Sequence, residues 1–134
     1  MGLKYLWDTN TVIYYLKKSF TEAEQRIMNN IINNYKPAIS VITEIELLCW
    51  KNATEKDVAT LNSFVLDSTV FELEVKIKLK TIEIRKTHGL KLPDAVIAAT
   101  ALANSLTLIS RNSNDFKKVT NLKLIDPFNL NDIS

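Results

Sequence analysis

Acidic side chains recur in this chain at one kind of place, just after an apolar run or at the front of the segment that follows it. Asp8 ends the run Leu3 to Trp7, Glu44 and Glu46 follow the run Ala38 to Ile42, Asp94 stands beside Pro93 before an alanine-rich stretch, and Asp115 follows Leu106 to Ile109. If these runs are parallel strands, all these acids lie on the carboxyl edge of one sheet, where α/β folds bind ligands. Carboxylates crowded there repel one another and raise each other's pKa unless a cation sits among them. An all-oxygen donor set suits a hard divalent ion, Mg²⁺ or Mn²⁺. Such an ion can activate water and stabilise charge on a phosphate. No positioned Ser–His or Cys–His pair offers a nucleophilic route, so metal-assisted hydrolysis is the most economical chemistry. The single histidine, His88, precedes Gly89 at a helix end and reads as a surface residue near the dipole.

Each acid also has a structural reading. An Asp after a strand is often a turn former or a helix cap. Thr43 and Glu46 have the spacing of a capping box, and Asn112-x-x-Asp115 could cap a short helical turn. What favours chemistry is the coincidence of four such acids at one edge. Glu44 and Glu46, two residues apart on a helix, point about 200° from each other, so they cannot both face one ion. Amphipathicity does not choose between them.

The elements that must position these acids follow from hydrophobic periodicity. Leu3 to Trp7 reads as a strand, followed by a polar elbow Asp8-Thr9-Asn10 and a short helix from Thr11 to Lys17. Thr21 with Glu24 is a capping box, opening a helix with Ile27, Met28, Ile31, Ile32 and Tyr35 on one face; Pro37 stops it. Ala38 to Ile42 is a second strand, with Thr43 expected to cap the next helix. Thr54 and Asp57 open a further helix whose expected buried stripe is Val58, Leu61 and Val65. Val70 to Leu73 reads as a third strand. The following residues alternate like a strand, yet Val75, Leu79 and Ile82 also form a helical face, and Gly89 suits a helix stop; we read a helix from there to His88. Pro93 suits a first helical turn, and Asp94 there meets the positive end of the dipole. Leu106 to Ile109 and Leu122 to Ile125 complete the strands. Asp126, before Pro127, is a turn residue, and a polar tail runs from Asn129. Strands alternating with helices imply α/β architecture: a parallel central sheet of four to five strands flanked by helices on both faces.

A chain of 134 residues suits one domain, expected to span 1–134, with a substantial core. The net charge of +2, with lysines dispersed, neither demands nor excludes a nucleic-acid partner. One cysteine, Cys49, precludes an internal disulfide and a cysteine metal cluster, so the reduced cytoplasm is the expected compartment. No apolar run approaches the roughly 20 residues of a membrane span. The stretch MGLKYLWDTN is unlike a signal peptide, because an acid interrupts it early.

These residues resemble the PIN-domain ribonucleases, most closely the small VapC-like toxins of toxin–antitoxin pairs. The resemblance runs through LWDTNTVIYYL and ISVITEIELL and is strongest in GLKLPDAVIAATALANSLTLISRNSNDF. It implies a PIN-like fold and Mg²⁺- or Mn²⁺-dependent endoribonuclease activity. It places the family's four acids on Asp8, Glu46 (in T-x-x-E-L, hence not Glu44), Asp94 and Asp115. Asp8, Asp94 and Asp115 would bind metal directly or through water, with Glu46 beside them. Thr9 or Asn10, and Ser110 or Asn112, match polar positions that support the acids. Asn104-Ser105 stands where relatives often have Gly, and Ser110 where Thr is common; neither change removes an oxygen ligand. RNA is the implied substrate, with Arg111 and Lys91 the basic residues nearest the acids, followed by Lys51 and Lys17. An antitoxin and a second copy of the chain are the implied partners. Other readings are a housekeeping RNA-processing nuclease, a non-catalytic RNA-binding module, or a phosphotransfer domain. The phosphatase form of the last wants an Asp where Asn10 stands.

Overall fold

The computed structural model describes residues 2–129. Its first half runs β1 (Tyr5–Trp7), α1 (Thr9–Leu16), α2 (Glu22–Asn34), β2 (Ala38–Ser40), α3 (Val41–Leu48) and α4 (Glu55–Asp67). The second half runs β3 (Thr69–Phe71), α5 (Val75–His88), α6 (Leu92–Ala103), β4 (Thr107–Ile109), α7 (Ser113–Phe116) and β5 (Leu124–Ile125). The five strands form one sheet in the order β3-β2-β1-β4-β5, and every pairing is parallel.

Alternation along the central strands sorts the core into two layers, because successive strand side chains leave opposite faces of a sheet. Leu6, Ala38 and Leu108 point into a core shared with Ile77 and Ile84 of α5, the buried face of α6, and Phe116 of α7. Their neighbours Trp7, Ile39 and Ile109 point the other way, to Val12 of α1, Met28 and Ile31 of α2, and Leu61, Phe64 and Val65 of α4. Helices therefore cover both faces, as the periodicity implied. Each of these large apolar side chains contributes roughly 1.5–3 kcal/mol by its burial. In α6 every residue from Ala95 to Ala101 is buried. Ala95, Ala98, Ala99 and Ala101 are fully so, which lets α6 lie against both α5 and the sheet.

Several boundaries differ from expectation. β2 ends at Ser40, and Ser40, not Thr43, caps α3 by accepting a hydrogen bond from Ile42 N–H at 3.1 Å. Thr43 is instead a fully buried residue inside the helix, so its capping box with Glu46 does not form. Apolar β-branched residues at 41 and 42 resemble strand continuation, but with Ser40 as the cap they already form the first turn of α3. α1 begins at Thr9 rather than Thr11, because Asp8 itself is the cap. The capping boxes at Thr21 and Thr54 are both present. Val58 is exposed and Phe64 takes its place in the buried stripe of α4. On α5 the buried face is Ile77, Thr81 and Ile84; Val75, Leu79 and Ile82 face outward. β3, β4 and β5 are each shorter than their apolar runs. The expected tail lies, beyond Asn129, outside the described residues.

Candidate active site

The chain moves outward from β1 through β2 to β3, then returns across the sheet to place β4 on the other side of β1. The direction of winding thus reverses between β1 and β4, and the crevice at their carboxyl ends is where such sheets take ligands. Asp8 leaves β1 there and Ser110 leaves β4.

Asp8 is 6% exposed. Its Oδ1 accepts from Thr11 N–H at 2.8 Å, which makes it the cap of α1, and its Oδ2 accepts from the Ser110 hydroxyl at 2.5 Å. The fully buried Ser110 oxygen accepts in turn from Asn112 N–H at 2.9 Å. Thr11 adds a tie across the crevice, its hydroxyl donating to Ile109 C=O at 2.9 Å. Burial pushes the Asp8 carboxyl above the usual aspartate range; the bonds from Ser110 and Thr11 pull it down, and the Glu46 charge adds to the rise.

Glu46 sits on the exposed side of α3, where its Oε1 accepts from the Thr9 hydroxyl at 2.6 Å. The same hydroxyl lies 3.1 Å from that of Thr43. Asp94 is half-buried in the first turn of α6. Its carboxyl is raised by burial first, then by the charges of Asp115, Asp8 and Glu46, with Lys91 opposing them. The charges of acids that lie as far as 107 residues apart in the chain (115 minus 8) therefore reach Asp94 at this edge. Asp115 is exposed on α7, and Lys118 Nζ approaches it to 4.0 Å.

Residues 5–122 match the PIN domain family. This chain belongs to that family. A relative named ribonuclease VapC2, from Haemophilus influenzae, is 30% identical over 131 residues, spanning 90% of this chain and 96% of the relative. The tRNA(fMet)-specific endonuclease VapC of Salmonella typhimurium is 26% identical over 132 residues, 92% of this chain and 98% of that protein. A solved toxin–antitoxin complex from Klebsiella pneumoniae contains a chain with TM-score 0.72 and 26% identity, covering 92% of this chain and 98% of that one.

The donor set of this PIN domain can be weighed against a divalent ion. Among the described residues no three Asp, Glu, His or Cys side chains converge closely enough to ligate one ion directly. Mg²⁺ does not require that, because it usually keeps several waters and takes only one or two carboxylates. All the candidate ligands are oxygens, and few cations oppose them. The residues therefore fit a hydrated hard cation.

The remaining expected residues divide. Thr9 and Ser110 hold acids; Asn112 serves through its backbone, and its side chain does not cap α7. Asn10 is exposed on α1, and its side chain makes no hydrogen bond to another described residue. Lys91 is the exposed cap residue of α6. Arg111 lies over the rings of Phe128 and Tyr14. His88 is the last residue of α5 and lies in its basic last turn with Arg85 and Lys86. Thr11, Thr43 and Tyr14 were not legible as site residues. A threonine three residues after a strand-end Asp is the one local signal that points to Thr11.

Proposed function

We propose that this chain is a divalent-metal-dependent endoribonuclease that hydrolyses RNA phosphodiester bonds, and that residues 1–134 act as one nuclease domain. The observation that carries the reading is the electrostatic convergence of Asp115, Asp8 and Glu46 on Asp94. Such convergence is costly without a cation and useful with one. Asp8, Asp94 and Asp115 would hold Mg²⁺ or Mn²⁺, directly or through water. The bound ion supplies a more acidic water and charge for the phosphate. Ser110 and Thr11 fix the Asp8 carboxylate, Thr9 fixes Glu46, and Lys91 and Arg111 attract the RNA backbone. The ribonuclease names of the relatives support the substrate class. The test is cleavage of labelled single-stranded RNA with Mg²⁺, with Mn²⁺ and with a chelator. Asp94→Asn should reduce metal-dependent cleavage at least a hundredfold; unchanged cleavage sinks the reading. Retention of all four acids disfavours a non-catalytic module.

We assign it further to the toxins, acting in the cytoplasm with an antitoxin, as the Klebsiella pneumoniae complex suggests by likeness. A housekeeping nuclease is distinguished by expression: the toxin arrests growth, and Asp8→Ala relieves the arrest. The expected homodimer has a suitable face on α5, where Val75, Leu79 and Ile82 are 63%, 59% and 50% exposed. That helix is acidic before its start, at Glu72 and Glu74, and basic in its last turn, at Arg85 and Lys86. Two copies packed antiparallel would set each acidic end against a basic one. Leu79→Glu should convert the dimer to a monomer in sedimentation; a dimer that survives it refutes this face.

A further inference from the structure

On the rim of the acid crevice, three side chains from separate elements form a construction that hydrolysis itself does not use. Arg111 follows Ser110, so its Cα lies about 3.8 Å from that of the residue that holds Asp8. Its guanidinium carbon sits 4.4 Å from the centre of the Phe128 ring and 5.8 Å from that of Tyr14. Nη1 donates to the Tyr14 hydroxyl at 3.3 Å. Tyr14 meets Phe128 edge-on, with ring centres 5.2 Å apart and planes at 80°. Both rings pack on the buried Phe20, at 6.1 and 5.1 Å. Phe128 is anchored as well by its own backbone, whose N–H donates to Asp126 Oδ1 at 2.8 Å. The parts come from α1 and from the turns after β4 and β5, so neighbouring strand ends hold them together.

Arg111 is nonetheless exposed, and among the described residues it forms no ion pair with a carboxylate. One face of its planar cation is backed by an aromatic ring, while the side chain as a whole remains open to solvent. A lysine would serve to attract phosphate as a point charge; an arginine placed over a ring offers a planar group as well. Unpaired nucleobases stack on guanidinium planes and aromatic rings in single-stranded RNA recognition.

We propose that Arg111, backed by Phe128 and oriented by Tyr14, is a stacking platform for an unpaired RNA base beside the phosphate that is hydrolysed at the acid crevice. This rests on the nuclease reading and adds a base-recognition subsite to it. The competing account is that Arg111 only covers the Tyr14–Phe20–Phe128 cluster or only attracts phosphate.

The test uses the full chain carrying Asp94→Asn, in Mg²⁺, so that RNA is bound and not cut. Fluorescence anisotropy compares a labelled adenosine hexamer with a hexamer of the same backbone whose central positions are abasic. Arg111→Lys keeps the charge and removes the plane. It should weaken the adenosine probe about tenfold, the scale of one stacked base, and change the abasic probe less than twofold. Phe128→Leu should act in the same direction, about threefold. Equal weakening of both probes, or of neither, overturns the platform in favour of charge or packing. If the chain carrying Asp94→Asn binds neither probe, the platform falls, and cleavage by the unsubstituted chain in Mg²⁺ decides the nuclease reading separately; if a preference for bases survives Arg111→Lys, the platform alone falls. Thermal unfolding accompanies each variant. Should Arg111→Lys unfold, Tyr14→Phe, which keeps the ring and removes only the hydroxyl, must show the same base-selective loss.

Discussion

Asp8 is asked to do two things that pull against each other, and substitution separates them. As a cap it satisfies Thr11 N–H, and as an anion it sits almost wholly buried. Burial raises its pKa, so ionisation in the folded, metal-free chain costs stability. That cost is present at pH 7 and disappears as pH falls below the unfolded value near 3.9. Asp8→Asn keeps an acceptor for Thr11 N–H, and its amide can donate to Ser110 Oγ once that hydroxyl turns. The variant should therefore be at least as stable as the parent at pH 7 in chelator, and its advantage should vanish near pH 3. Asp8→Ala loses the cap, about 1 kcal/mol, and the bond to Ser110, about 1 kcal/mol more. It should unfold about 6 °C below Asp8→Asn for a chain of this size. Both variants should lose metal-dependent RNA cleavage. Urea and thermal unfolding across pH 3 to 8, with and without Mg²⁺, measure all of this. Asp8→Asn less stable than the parent at pH 7, or a difference indifferent to pH, would refute the claim that the buried anion is destabilising.

Other outcomes follow from the same geometry. Asp94→Asn should raise the metal-free midpoint at pH 7 by about 2 °C, a small figure because solvent screens a half-buried charge. Millimolar Mg²⁺ should stabilise the parent and not this variant, as differential scanning fluorimetry would show. Thr9→Val frees Glu46 from its 2.6 Å bond and should weaken metal binding about tenfold by titration, with Thr9→Ser near normal. Ser110→Ala removes a fully buried donor to a charged acceptor and should lower unfolding free energy by about 1.5–3 kcal/mol in urea. Gly89, at φ +66° with open space around it, should lose about 1 kcal/mol on change to Ala through backbone strain alone, with cleavage unaltered.

The relation of acids to structure is instructive. In sequence Asp8 fits either a helix cap or a site residue, and in the structure it caps a helix whose cap position lies in the crevice. The Thr43–Glu46 capping box, by contrast, does not form. Its threonine is buried beside Thr9, and its glutamate is turned toward the other acids. A capping signature depends only on spacing, and spacing cannot distinguish an N-cap from a residue three positions past it, as Thr43 is from Ser40.

What the chain alone determined is what depends on near neighbours and on periods: apolar runs that become strands, Thr21 and Thr54 as helix starts, Gly89 as a stop, and Pro93-Asp94 opening α6. From those the parallel sheet covered on both faces follows, and with it the single edge that gathers the acids. Tertiary structure decided everything that required two distant segments to meet. It bonded the Thr9 hydroxyl to Glu46 and Ser110 to Asp8 across 102 residues, and set Arg111 on Phe128. It also turned outward Val75, Leu79 and Ile82, the face that periodicity had picked out, and buried Ile77, Thr81 and Ile84 instead. The reason is physical: capping and amphipathic period are set by local backbone geometry, whereas the placement of a side chain across a crevice depends on strand order, and strand order is decided only when the whole sheet closes its core.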